Sequence, residues 1–141
     1  MKSATGLLLA IAMIAAPAEA KSPPRYGPLA YSNACYEEES GDFSGHRLLL
    51  WRLDYDLGFF EWSEGPAELA RTEELKISED GHIQFRIDQN QGSGPTTDYL
   101  DVSGTITEEG AEIVIRGKPY HLPRVTNYGK TPSCPALEKK G

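Results

Sequence analysis

The chain has 141 residues, with 21 acidic against 14 basic side chains and a net charge of −7. That balance repels phosphate backbones and excludes general nucleic-acid binding, and the length is that of one domain rather than several. The two cysteines show no CxxC spacing, which removes the common metal-binding and redox motifs.

At the start, Lys2 precedes an apolar run over residues 7–16, Pro17 ends any helix there, and Ala18-Glu19-Ala20 places small residues where a signal peptidase inspects the chain. This layout predicts a secretory signal over residues 1–20, cut after Ala20, and a protein exported to the periplasm or secreted. The run is about half the roughly 20 residues needed to cross a bilayer, so the mature chain is expected to carry no transmembrane anchor. No cysteine stands at the cut, which argues against a lipid anchor. About 120 residues remain, enough to bury roughly 65 % of the unfolded surface around a single core.

Residues 21–33 read as a Pro-rich lead-in carrying Pro23, Pro24 and Pro28, followed by one β domain over 34–135 and a polar tail over 136–141. Cys35 and Tyr36 fall on a short first strand. Cys35 and Cys134 form an isolated pair, and in an oxidising compartment such a pair becomes a disulfide, here closing nearly the whole domain. The acidic run Glu37-Glu38-Glu39 alternates between faces and reads as a solvated edge.

Residues 46–53 are apolar on both parities, which predicts a strand covered on both faces. Asp54, Tyr55 and Asp56 make a turn, and residues 58–62 return with Phe60 and Trp62 on one face. Residues 66–74, with Pro66 leading Ala67, Leu69 and Ala70, suit one short helix or a loop feeding the next strand. The clearest hairpin comes next. Leu75 and Ile77, then Ile83, Phe85 and Ile87, alternate with polar residues on either side of Asp80-Gly81. Residues 89–97 are polar and Gly-rich and read as an exposed loop. In a second hairpin Leu100, Val102 and Ile106 point inward, Glu108-Glu109-Gly110 turns, and Ile113 and Ile115 point inward again. Gly104 falls on the inner parity, where glycine marks a bulge or a sharp bend. Residues 120–125 suit a last edge strand, because Pro119 and Pro123 cannot donate to a ladder.

The fold class that follows is mostly β. Roughly six to eight short strands form an antiparallel up-and-down meander, closed as a small barrel or sandwich, with at most one short helix.

Catalytic and metal motifs are missing from this pattern. His46, His82 and His121 make no HxH or HExxH, the Asp54–Asp56 pair lacks EF-hand spacing, and neither Ser44 nor Ser63 stands in a GxSxG elbow. No catalytic residue, metal or cofactor is therefore assigned. Small barrels hold ligands at their mouths, and Trp51, Trp62, Glu64 and Tyr99, beside Arg47 and Arg52, are the candidate ligand-binding set, with residues 62–66 at one rim. Core packing accounts for the two tryptophans equally well. The leading expectation is a non-enzymatic binding protein for a small molecule, a lipid or an envelope component. The alternative is a protein-interaction or inhibitor module using the 89–97 loop and the edge near Val125. A small hydrolase or metalloenzyme ranks third.

Overall fold

The structure, a computed structural model, describes residues 27–65, 67–90, 98–127 and 130–135. The leader assigned to residues 1–20, the loop positions 91–97, Pro66 and the tail 136–141 lie outside the described residues. Alternating apolar residues dictate strands, and every regular element described is one. They are β1 (Gly27–Ser32), β2 (Cys35–Tyr36), β3 (Phe43–Arg52), β4 (Asp56–Gly65), β5 (Ala67–Ile77), β6 (His82–Asp88), β7 (Tyr99–Ile106), β8 (Gly110–Ile115) and β9 (Lys118–Pro123). All ladders between them are antiparallel, in the order β1-β3-β4-β5-β6-β7-β8-β9, with β2 added to the start of β3. The meander is nearly closed into a barrel.

Both hairpins read from alternation are present as β5–β6 and β7–β8, with turns at Ser78–Gly81 and Thr107–Gly110. β8 and β9 are joined by the two-residue turn Arg116-Gly117, both at positive φ (49° and 77°), the geometry that matches the twist of adjacent strands.

Two expectations change. Residues 66–74 contain no helix among the described positions but the first two-thirds of β5. The alternation there is interrupted by a bulge, where the β5–β6 register slips between Glu73 and Lys76 and Glu74 sits at φ 49°. Because of the extra residue, Ala70 and Thr72 before the bulge and Leu75 and Ile77 after it all face inward. That broken parity imitates a helical spacing. A helix of this length would also be marginal alone, whereas β4 and β6 supply partners on both sides. The second change is β1, which lies within the stretch read as lead-in. Pro28 is tolerated there because it shares the parity of Ala30, whose carbonyl faces away from β3 and accepts the Val125 N–H at 2.9 Å. The missing proline donor thus falls on the side that has no ladder.

The interior is filled by side chains. Phe60 meets Phe85 at 5.7 Å between ring centroids, and Leu48, Leu50, Ile87, Val102, Ile106, Ile113 and Leu122 pack around them fully buried. At one end His46 lies between Phe60 and Tyr120, and Trp62 stacks on Phe60.

The seam between β1 and β9 is closed by single contacts rather than by a ladder. Tyr31 bridges Arg124, and Asn33 accepts the His46 N–H at 2.7 Å while its Nδ2 donates to the His121 carbonyl at 3.1 Å. The His121 carbonyl therefore points away from β8, and the alternation puts the ring nitrogens of Pro119 and Pro123 on that same outward edge. The C-terminal strap crosses at this seam. Cys134 is bonded to Cys35, Tyr36 donates to the Pro132 carbonyl, and the Cys134 N–H donates to the Tyr36 carbonyl.

Tyr31 is fully buried and its hydroxyl donates to the Thr107 carbonyl at 2.8 Å. Burial pushes the phenol from 10.0 up to about 12, against the pull of Arg124 and then Arg52. An acid with a raised folded pKa stabilises the fold fully below its unfolded value and loses that contribution as pH rises through the folded one. The window is therefore pH 10 to about 12, a contribution on the order of 3 kcal/mol. The Tyr31→Phe variant is expected to lose about 1 kcal/mol at neutral pH, from the unmade hydrogen bond, and then to destabilise less steeply than the parent between pH 10 and 12. Urea unfolding across that range checks it, and parallel pH profiles for the two proteins would refute the assignment.

Candidate functional site

On β3 the residues Leu48 and Leu50 face the core, so Leu49 and Trp51 face out. The same alternation turns Leu57 and Phe59 of β4, Leu69 and Arg71 of β5, and Pro28 of β1 to the outside. Registers place them side by side. Pro28, Trp51 and Leu57 make one row, Leu49, Phe59 and Arg71 a second, and Arg47, Glu61 and Leu69 a third. Trp51 and Phe59 touch edge to face, with centroids 6.4 Å apart. Trp51 is 41 % exposed, Leu69 52 %, and Leu53 and Tyr55 at the β3–β4 tip 50 % and 66 %. Residues 46–53 were expected to be covered on both faces. The inner face is; on the outer one the strap reaches Arg47 through Thr131, Leu49 is half-buried, and Trp51 is exposed.

The opposite wall behaves differently. Outward positions of β6, β7, β8 and β9 carry Gln84, Arg86, Asp101, Ser103, Glu112 and His121, interrupted by Tyr99 and Val114. A polar exterior is what a solvated sheet requires. On the exterior of β1-β3-β4-β5 the apolar side chains are instead neighbours of one another, forming one patch rather than scattered single exposures.

The charges around this face fall into two groups. Arg47 and Glu61 pair at 3.2 Å with side chains only 19 % and 15 % exposed, and Arg47 also reaches Thr131 of the strap. Arg52 and Asp56 pair at 3.2 Å and brace the turn at Leu53-Asp54-Tyr55. Asp54, Arg71 and Glu73 are exposed and make no ion pair among the described residues. Beyond Arg71, β5 leaves β4 to pair with β6, which opens a groove of about 300 Å³ lined by Leu57, Arg71, Thr72, Glu73 and Leu75. There Thr72 donates its hydroxyl to the Gly58 carbonyl at 3.1 Å and holds the two walls together.

The four residues expected to share a ligand site are not gathered. Trp51 is on the outer face, whereas Trp62 faces inward at the far end of the neighbouring strand, opposite His46. The two differ in parity relative to the β3–β4 register, so they cannot line one surface. Tyr99 is on the outside of the opposite wall under the Arg86 guanidinium, 5.3 Å from the ring centroid. Glu64 pairs by its backbone with Ser44 near the end of β4. What sequence reasoning missed was the company of Trp51, namely Leu49, Leu57, Phe59 and Leu69. The signal was available in the double-parity apolar run, once one of its faces is taken as a contact surface instead of a core.

Elsewhere the reactive side chains serve the fold. Glu37 accepts the hydroxyls of Ser40 and Ser44, Glu38 accepts Ser133, and His82 lies 3.3 Å from Asp80 in an exposed turn. His121 pairs with Glu112 on the outer wall. Among the described residues no three His, Cys, Asp or Glu side chains converge as metal ligands. The chain matches no protein-family model, no curated protein and no solved structure.

Proposed function

We propose that this is a non-enzymatic, exported binding module that docks an envelope component through the outer face of β1-β3-β4-β5. The observation that carries the reading is the row structure of that face. Apolar side chains stand side by side in the rows Pro28-Trp51-Leu57 and Leu49-Phe59, with Leu69 in the next row beside Glu61, while the other wall is mostly polar outside. The packed interior supports an external surface over a luminal ligand. Export is supported by the layout of the first 20 residues and by the disulfide, a bond that persists in oxidising compartments.

A Trp51→Ala, Leu69→Ser double variant is expected to keep its stability within about 1 kcal/mol, since both side chains are solvated. It should lower affinity for the partner by about 30-fold or more, as loss of two contact anchors does. Photo-crosslinking in cells locates the surface. A cross-linkable residue at position 69 is expected to give a discrete adduct, and one at position 103 of the polar wall none. Adducts at both positions alike, or at neither, would refute the assignment.

A further inference from the structure

Between the C-terminal strap and the seam lies a cavity of about 230 Å³. Its walls come from distant parts of the chain: Asn33 and Ala34 after β1, Val125 after β9, and the strap residues 130–133. Each wall is tied down. Asn33 accepts the His46 N–H and donates to the His121 carbonyl, and the Val125 N–H donates to the Ala30 carbonyl. The strap is held by the Cys35–Cys134 bond and by its two backbone bonds to Tyr36. A cavity between fixed walls costs little ordering when a ligand enters.

The charged groups on this cavity are of one sign. Arg47 enters from β3 and Lys130 from the strap, and no carboxylate among the described residues lines it. Glu61 offsets the charge of Arg47 from outside the cavity, at 3.2 Å from one terminal nitrogen. The other terminal nitrogen donates to the Thr131 hydroxyl at 3.1 Å and so faces the strap. These two bonds fix the guanidinium and leave it N–H donors to spare. Lys130 is exposed and makes no ion pair among the described residues, so its charge stays uncompensated. Ala34, Val125 and Pro132 add apolar surface to the lining. We infer that the cavity binds a small organic carboxylate. Its oxygens accept from Lys130 and from the spare donors of Arg47, and its hydrocarbon part lies on the apolar lining. Arg47 supplies the oriented fork and Lys130 the net charge. The volume equals that of about eight liquid waters, which suits one carboxylate on a short apolar body. Elsewhere a chain of net charge −7 repels such anions. The site is independent of the docking face, so either can fail alone.

The test is titration of the full chain, followed by backbone amide shifts, with four probes. Benzoate stands for a free acid, N-acetyl-leucine for the terminal carboxylate of a peptide, benzamide for the uncharged shape and inorganic phosphate for charge without an apolar part. Benzoate or N-acetyl-leucine is expected to give saturable shifts at Asn33, Val125, Thr131 and Ser133 with a Kd of about 1 mM or below, and the tighter of the two identifies the source. Benzamide and phosphate should each bind at least about tenfold more weakly, as loss of one recognised group does. Lys130→Gln, at an exposed position that leaves the fold intact, should weaken the carboxylate by about tenfold, and Lys130→Arg should restore it. Benzamide binding as tightly as benzoate would overturn the anion, and phosphate doing so would overturn the organic part. Affinity unchanged in Lys130→Gln, shifts confined to the Trp51 wall, or no saturable shift with any probe would overturn the site.

Discussion

Replacing Cys35 with serine is expected to lower the unfolding free energy of the oxidised protein by about 4 to 5 kcal/mol, the chain-entropy value for a loop of about 100 residues. The two cysteines are 99 positions apart, so the bond constrains almost every described strand in the unfolded chain. In a domain of this size that corresponds to a drop in melting temperature of roughly 15–20 °C. The native state loses little beyond the bond. The strap 130–135 keeps the Arg47–Thr131, Tyr36–Pro132 and Ser133–Glu38 contacts, all at the surface and each worth about 1 kcal/mol or less net. Cys134→Ser should therefore match Cys35→Ser, and the double variant should match either single one, because both remove one shared interaction. Chemical denaturation with and without reductant decides the matter. Identical midpoints for reduced and oxidised parent protein would show that the bond does not constrain the unfolded state.

The second large effect is expected at Gly104. A Cβ there would stand 2.0 Å from the Glu112 carbonyl oxygen and 2.8 Å from the Ile113 Cα, so the obstacle is the backbone of the adjacent strand. The registers on both sides of Gly104 run without a slip, β6 to β7 and β7 to β8. Glycine here marks a close approach of two strands, not a bulge. Gly104→Ala must push β8 away from β7 in the middle of the core and is expected to destabilise by at least about 3 kcal/mol, the upper end for overpacking. Gly58→Ala is the control. Its Cβ would meet the Thr72 hydroxyl at 2.6 Å and the tip of Leu50 at 3.2 Å, side-chain rather than backbone atoms, though displacing Thr72 weakens its bond to the Gly58 carbonyl. A smaller loss of about 1 to 2 kcal/mol is expected there. Urea unfolding of the two variants gives the order, and a Gly104→Ala variant as stable as Gly58→Ala would contradict the close approach.

The hairpins of β5–β6 and β7–β8 were legible because Ile83, Phe85, Ile87, Ile113 and Ile115 alternate without interruption and their turns contain Gly81 and Gly110. The first half of β5 was not, because the bulge at Glu74 shifts parity by one and leaves inward residues at 70, 72, 75 and 77. No local rule announces such a slip. It is chosen by pairing with β6. β1 was obscured by Pro28, which is compatible with a strand only when the neighbour on its nitrogen side is missing, a fact of topology. The site was half legible. Trp51 stood out as an aromatic on a strand, but whether it faced a core or solvent depended on what lies over the β3–β4 wall. That is a property of the assembled sheet, and single-strand periodicity cannot carry it.

A barrel left unzipped at one seam would ordinarily invite growth, since an unpaired strand edge is a template on which identical chains can stack without limit. Along the free side of β9 the backbone positions that would bond an incoming strand are 119, 121 and 123. Two of the three are prolines with no hydrogen to give, and the carbonyl of the third is already taken by Asn33. An approaching strand would find no continuous run of donors and acceptors there. The seam can thus stay incomplete without offering the β9 edge to a second chain.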